Sequence, residues 1–166
     1  MSRRKKQCWS VGDIFSIQGR NGNGAIGQIL DRMLPNVVTC AFYALWYSGN
    51  TPPEKIELVP DQLISCVSVS CEQLDYGKWK VIGHQQPAVG RDDWPNEKLR
   101  DSGWVGAKIY DAGIIEEFLV AFYGLVPWDD WHDPTYLDQL LVSPEKKPKQ
   151  LSRKRLELSQ FEDYHD

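Results

Sequence analysis

Val11-Gly12-Asp13-Ile14-Phe15-Ser16-Ile17 is followed by Gly24-Ala25-Ile26-Gly27-Gln28-Ile29-Leu30, and together these two stretches decide the fold class. The first alternates apolar and polar side chains, the period of a half-buried strand, and the second resumes after a glycine-rich break. Gly19-Arg20-Asn21-Gly22-Asn23-Gly24 supplies residues that tolerate positive φ, as a turn between antiparallel strands needs. A third run, residues 36 to 46 (Asn36-Val37-Val38-Thr39-Cys40-Ala41-Phe42-Tyr43-Ala44-Leu45-Trp46), is too apolar to be half exposed. It is expected at the centre of a sheet whose first strands span residues 13 to 18 and about 25 to 31.

Downstream, Pro60 to Ile64 fits a short helical turn. Cys66 to Ser70 alternates as a strand and is expected to pair with Trp79-Lys80-Val81-Ile82. Gln85 to Asp101 is polar and proline-bearing and reads as a long surface loop, a class of segment that often carries function. Gly103 to Tyr110 reads as a last strand. Ile114 to Tyr123 carries an apolar stripe of Ile114, Ile115, Phe118, Leu119 and Phe122 and stops at Gly124, so a helix packed on the sheet is expected. A second short helix is expected over Pro134 to Val142, capped by Asp133. The fold class is therefore α+β: a curved or barrel-like, mainly antiparallel sheet of five or six strands with one or two C-terminal helices packed on it. Residues 7 to 143 form one domain, residues 1 to 6 a basic arm, and residues 144 to 166 a charged tail, disordered or a peripheral helix.

Divided along the chain, charge is informative. Residues 7 to 143 hold nine Lys or Arg against eighteen Asp or Glu, whereas the two flanks hold ten basic residues against five acidic ones. An acidic body repels phosphate backbones and attracts cationic partners, which argues against a core that binds nucleic acid. No apolar run is long enough to span a membrane. Arg3-Arg4-Lys5-Lys6 lacks the apolar stretch of a signal peptide, so a cytoplasmic protein with reduced thiols is expected. Cys8, Cys40, Cys66 and Cys71 are dispersed and show no metal-site spacing, and no cofactor is implied.

The ordered phrases Gly12-Asp13-Ile14-Phe15-Ser16-Ile17, Gly27-Gln28-Ile29-Leu30 and Gly77-Lys78-Trp79-Lys80-Val81-Ile82-Gly83 resemble the bacterial polymorphic-toxin immunity protein family known as immunity protein 26. The likeness runs from about Trp9 to Gly83 and more weakly over Leu125 to Leu141. Gln18 stands where that family tends to have proline, and His84 where it often has asparagine. The resemblance implies a mainly β intracellular protein without enzymatic activity, which protects its producer by binding a cognate protein toxin. It carries over no toxin-binding residues.

From the residues themselves, the two loops over Gln85–Gly103 and Pro127–Asp133 combine tryptophans with carboxylates outside the expected strands. Asp92, Asp93, Trp94, Trp128, Asp129, Asp130, Trp131 and Asp133 are accordingly the candidate partner-binding residues, an acidic and aromatic surface suited to a basic partner. Two readings of the same cluster compete with this one: a metal or general-base site around His132, and a helix-entry loop capped by Asp133 whose tryptophans simply pack on the sheet. His84 has no orienting carboxylate that the sequence designates, and Gly22-x-Gly24-x-x-Gly27 spells a dinucleotide fingerprint but opens no helix. The alternative class is a nucleic-acid-binding or endoribonuclease barrel of SH3-like form, whose strands open with similar Gly-Asp-x-Phe phrases. An enzyme using His84 or His132 as a base ranks third.

Overall fold

The structure, a computed structural model, describes residues 5–19, 22–49, 51–149 and 151–152. Strands β1 (Asp13–Gln18), β2 (Asn23–Leu34), β3 (Val37–Ser48), β4 (Leu63–Ser70), β5 (Trp79–His84) and β6 (Ile109–Tyr110) form one open sheet in the order β5-β1-β2-β3-β4-β6. Every pairing is antiparallel except β4 with β6. Helix α1 (Glu72–Asp75) links β4 to β5, and α2 (Ala112–Phe122) follows β6. Among the described residues no helix is long and apolar enough to cross a membrane.

The expected first three strands form, with β2 and β3 at the centre. The expected pairing of Cys66–Ser70 with Trp79–Ile82 does not. β4 pairs with β3 and β6, while β5 crosses to the far edge and pairs with β1, with Asp13 opposite His84. The expected last strand shrinks to Ile109–Tyr110, because Glu97–Ser102 is a 3-10 segment and Gly103, Trp104 and Gly106 all take positive φ. The expected helix over Pro134–Val142 is a 3-10 turn over Tyr136–Leu140, entered from Thr135 rather than from Asp133.

Alternation splits the core between the two faces of the sheet. On one face Phe15, Ile29, Phe42, Trp79, Ile115, Phe118 and Trp128 pack together under α2. Phe15 and Trp79 stack with centroids 5.3 Å apart, and Phe42 meets both edge-on. Gly27 lies opposite Phe15, and a β-carbon there would come within 2.4 Å of the ring, so this glycine is required by packing. Gly24 makes similar room for the Tyr47 ring. That accounts for two glycines of the dinucleotide-like spelling. Asp111 caps α2 by accepting from the Gly113 N–H at 2.8 Å. Gly124, at φ +78°, ends it, with the Leu125 N–H donating to the Val120 carbonyl and the Gly124 N–H to Ala121.

On the other face Ile14, Ile26, Leu30, Tyr43, Tyr47, Leu58 and Val89 form a smaller core. Two irregular segments cover it. One brings Ile56 and Leu58, the other Val89 and Trp94. They are tied together by Gln85, whose side-chain amide exchanges two hydrogen bonds, each 3.1 Å, with the Leu58 backbone. The stretch from Gln85 to Asp101 is thus a structured cover rather than the free surface loop expected. Its Asn96 side chain is buried and donates to Ser68 Oγ and the Lys108 carbonyl, while its Arg100 holds Glu97 and reaches Asp31 of β2 at 2.9 Å.

Both sides of the sheet are partly satisfied beyond the strand pairs. On the part of β4 that the short β6 leaves uncovered, the Val142 N–H donates to the Ile64 carbonyl, and Ser65 Oγ donates to the Leu140 carbonyl. At β5 a single side chain, Gln7, donates to the Leu74 and Trp79 carbonyls and accepts from the Val81 N–H. The start of the expected tail packs on the body: Leu151 touches the core under α2, and the Trp128 N–H donates to the Ser152 carbonyl at 3.0 Å. The remainder of that tail, residues 153–166, and residues 1–4 of the arm lie outside the described residues.

Candidate functional site

The eight candidate residues do not converge on one surface. Asp92 and Asp93 are exposed on a 3-10 turn over Arg91–Asp93. Trp94 is half-buried on the smaller core, its indole N–H donating to the Val89 carbonyl at 3.3 Å and Arg91 lying over its ring. Trp128 and Trp131 belong to the opposite face, against the core under α2. The two loops therefore present separate patches.

For Trp128 the expectation of a surface contact is corrected. Its side chain is 2% exposed, packs beside Phe118, and donates its indole N–H to Asp138 Oδ1 at 2.7 Å. A tryptophan between carboxylates looks solvent-facing in sequence, but Asp138 satisfies its polar edge from within. Trp131 keeps a partly open ring, stacked on Tyr136 with centroids 4.9 Å apart. Asp130 and Asp133 are exposed and Asp129 is half-buried. Asp133 accepts from the Thr135 hydroxyl and N–H, which holds its carboxyl below the usual carboxylate range.

On the α2 side, Asp130 and Trp131 line a cleft of about 260 Å³ together with Glu117, Val126 and Pro127. Glu117 also lines a second, narrower cleft between α2 and the sheet, walled by Ile17, Ala25, Leu119, Val120 and Trp46. Glu116 borders that cleft as well. It accepts on one oxygen from the Trp79 indole at 3.0 Å and from Gln73 at 3.1 Å. An acidic and aromatic strip thus runs along α2 from Trp131 to Trp46. Sequence reasoning missed Glu116, Glu117 and Trp46. The two glutamates were visible as adjacent carboxylates in an otherwise apolar helix, but which strand ends faced them depended on the sheet order.

His84 gains the orienting carboxylate that the sequence did not designate: its Nδ1 lies 3.0 Å from Asp13 Oδ1, across the β1–β5 pair. Asp13 is fixed in turn by the Ser10 N–H, and the imidazole sits over Gly12, where a β-carbon would come within 2.6 Å of it. The adjoining cleft, about 280 Å³, is lined by Ile14, Pro53, Glu54, Lys55, Ile56 and Ile82 as well as Gly83 and His84, a lining with no hydroxyl or thiol nucleophile. His132 is exposed, and among the described residues no group of three or more His, Cys, Asp or Glu converges as metal ligands would. Burial pushes the Cys66 thiol up to about 12, with the Asp93 charge adding to it, and burial raises Cys40 strongly, with the neighbouring Cys66 and Cys71 adding to it, so both pack as neutral groups.

Fold and site together define an open, mainly antiparallel α+β protein with an acidic, aromatic strip along its long helix. Comparison with protein-family models, with curated proteins and with solved structures returns no match.

Proposed function

We propose that this protein is a stoichiometric inhibitor of the immunity-protein type, which binds a protein toxin and covers a basic, substrate-binding face of it. The observation that carries the reading is the α2 strip, in which Glu117 joins the cleft of Asp130 and Trp131 to the cleft of Trp46. Carboxylates around partly buried rings suit a cationic protein surface: the charges speed encounter, and the aromatic contacts set the rate of dissociation. The acidic balance of residues 7 to 143 adds to this, as does the likeness of the Gly-Asp-Ile-Phe and Lys-Trp-Lys phrases to immunity protein 26. In this reading the protein acts in the cytoplasm and its core leaves nucleic acid alone.

The test is co-expression with the toxin-like product of an adjacent reading frame. Protection of the cells and a one-to-one complex on gel filtration are expected. Charge reversal at Asp129 and Asp130 slows association and flattens its salt dependence, and Trp131→Ala speeds dissociation. Binding unchanged in both folded variants places the surface elsewhere, and failure to protect against any neighbouring product overturns the function.

A further inference from the structure

We infer that the narrow cleft between α2 and the sheet is a slot for one arginine side chain of the bound partner, an inference that rests on the reading of the α2 strip as the partner-binding surface. Four observations carry it, and each narrows the chemistry of the occupant. Ile17, Ala25, Leu119 and Val120 give the cleft apolar walls, which suit a methylene stem. Trp46 lines it as well and is stacked on Tyr123 with centroids 4.2 Å apart, so the indole is held in place for a cation over or beside it.

Glu116 supplies the charge. The Trp79 and Gln73 donors lock its Oε1, while its Oε2 has no partner among the described residues. A carboxylate fixed on one oxygen loses little freedom when the other accepts a guanidinium N–H, and two donors on that oxygen hold the group in place. Glu117 adds a second negative charge at the same cleft, although it already takes part in an interaction within the chain.

Size then separates arginine from lysine. The volume open to water-sized spheres is about 50 Å³. One water needs about 10–15 Å³ on that measure, so the slot holds about three to five such spheres. A planar guanidinium fills that space, whereas an ammonium fills one position and leaves the rest to water. Arginine also keeps its charge under all conditions of interest and is less strongly hydrated, so less is lost on entry.

The experiment needs no knowledge of the partner. The full-length protein is titrated with N-acetyl-arginine amide while the indole N–H resonance of Trp46, assigned by its loss in Trp46→Phe, is followed by NMR. A saturable shift is expected, at least about tenfold weaker for N-acetyl-lysine amide and for the neutral isostere N-acetyl-citrulline amide. Glu116→Gln keeps an acceptor for Trp79, so it preserves the fold and is expected to lose the arginine response. No saturable shift, or equal shifts for arginine and citrulline, overturns the slot. If the slot fails while co-expression still protects, the immunity reading stands without it. If arginine binds and no protection is found, the slot stands and the immunity reading falls.

Discussion

The two faces of the sheet draw on the same strands but are closed by different means. Under α2 the cover is a capped helix, and the core is a continuous block of rings and aliphatic chains from Phe15 to Trp128. The opposite face is closed by two irregular segments held by side-chain amides, and it buries three polar atoms without partners among the described residues, Gln28 Oε1 and the hydroxyls of Tyr43 and Tyr47, against one, the Tyr123 hydroxyl, at the α2 side. An unpaired buried polar group costs free energy that a paired one does not. The helix-covered face is therefore expected to hold most of the stability, and the strapped face to open first.

The largest expected effect tests the first half of that contrast. Trp79→Ala removes a ring that is 1% exposed and stacked on Phe15, and is expected to lower the unfolding free energy by about 3–5 kcal/mol in a urea titration. Trp128→Ala on the same face is expected to act on stability too, since its ring is inside. A loss below about 1 kcal/mol for both would reverse the ranking of the faces. Gly27→Ala drives a β-carbon into the fully buried Phe15 ring, and a cost of about 1–3 kcal/mol is expected by thermal or urea unfolding.

On the strapped face, Gln85→Ala deletes both hydrogen bonds to Leu58. A loss of about 1–2 kcal/mol is expected, with amide exchange accelerated at Leu58 ahead of β2 and β3. Uniform acceleration across the sheet would show that the straps open only with the whole fold. The Cys66 thiol gives a smaller, pH-dependent effect on that face. In the fold it ionises at about 12 rather than near its ordinary value of 9.0, so between those values the unfolded chain binds fewer protons and stability falls as pH rises. Urea midpoints measured from pH 8 upward are expected to decline, and Cys66→Ala to remove part of the decline. The smallest change is expected from Tyr43→Phe, which takes away a buried hydroxyl that has no partner among the described residues: about 0–1 kcal/mol in the stabilising direction. Destabilisation there would mean that the hydroxyl is satisfied in solution.

What could be read from the chain follows the same division. β1 to β3 and α2 were legible because alternation, turn glycines, the apolar stripe of the helix and its Gly124 stop are local signals. The partner of β4 was not, because Cys66–Ser70 and Trp79–Ile82 alternate equally well and only the global order of the sheet sends β5 to β1. Asp13 and His84 stand 71 residues apart, and that register alone makes them neighbours. The cover over the second face stayed hidden because its composition is that of a loop, its few anchors (Leu58, Gln85, Val89, Asn96) being scattered among prolines and charges. At the site, Asp130 and Trp131 were legible as an acidic and aromatic pair. Glu116, Glu117 and Trp46 depend on a helix meeting a strand end, which no single segment records.

Gln7 has a consequence of its own for how this molecule behaves among its copies. One carboxamide stands where a neighbouring strand would, occupying the Trp79 carbonyl and the Val81 N–H on the outer margin of β5. An extended segment from another chain needs those same groups to template onto the sheet. Clipping or remodelling the chain through this position would hand them over, turning the border of the sheet into a nucleus for strand exchange. The protection of this edge against self-templating then hangs on a side chain far in sequence from the strand it guards.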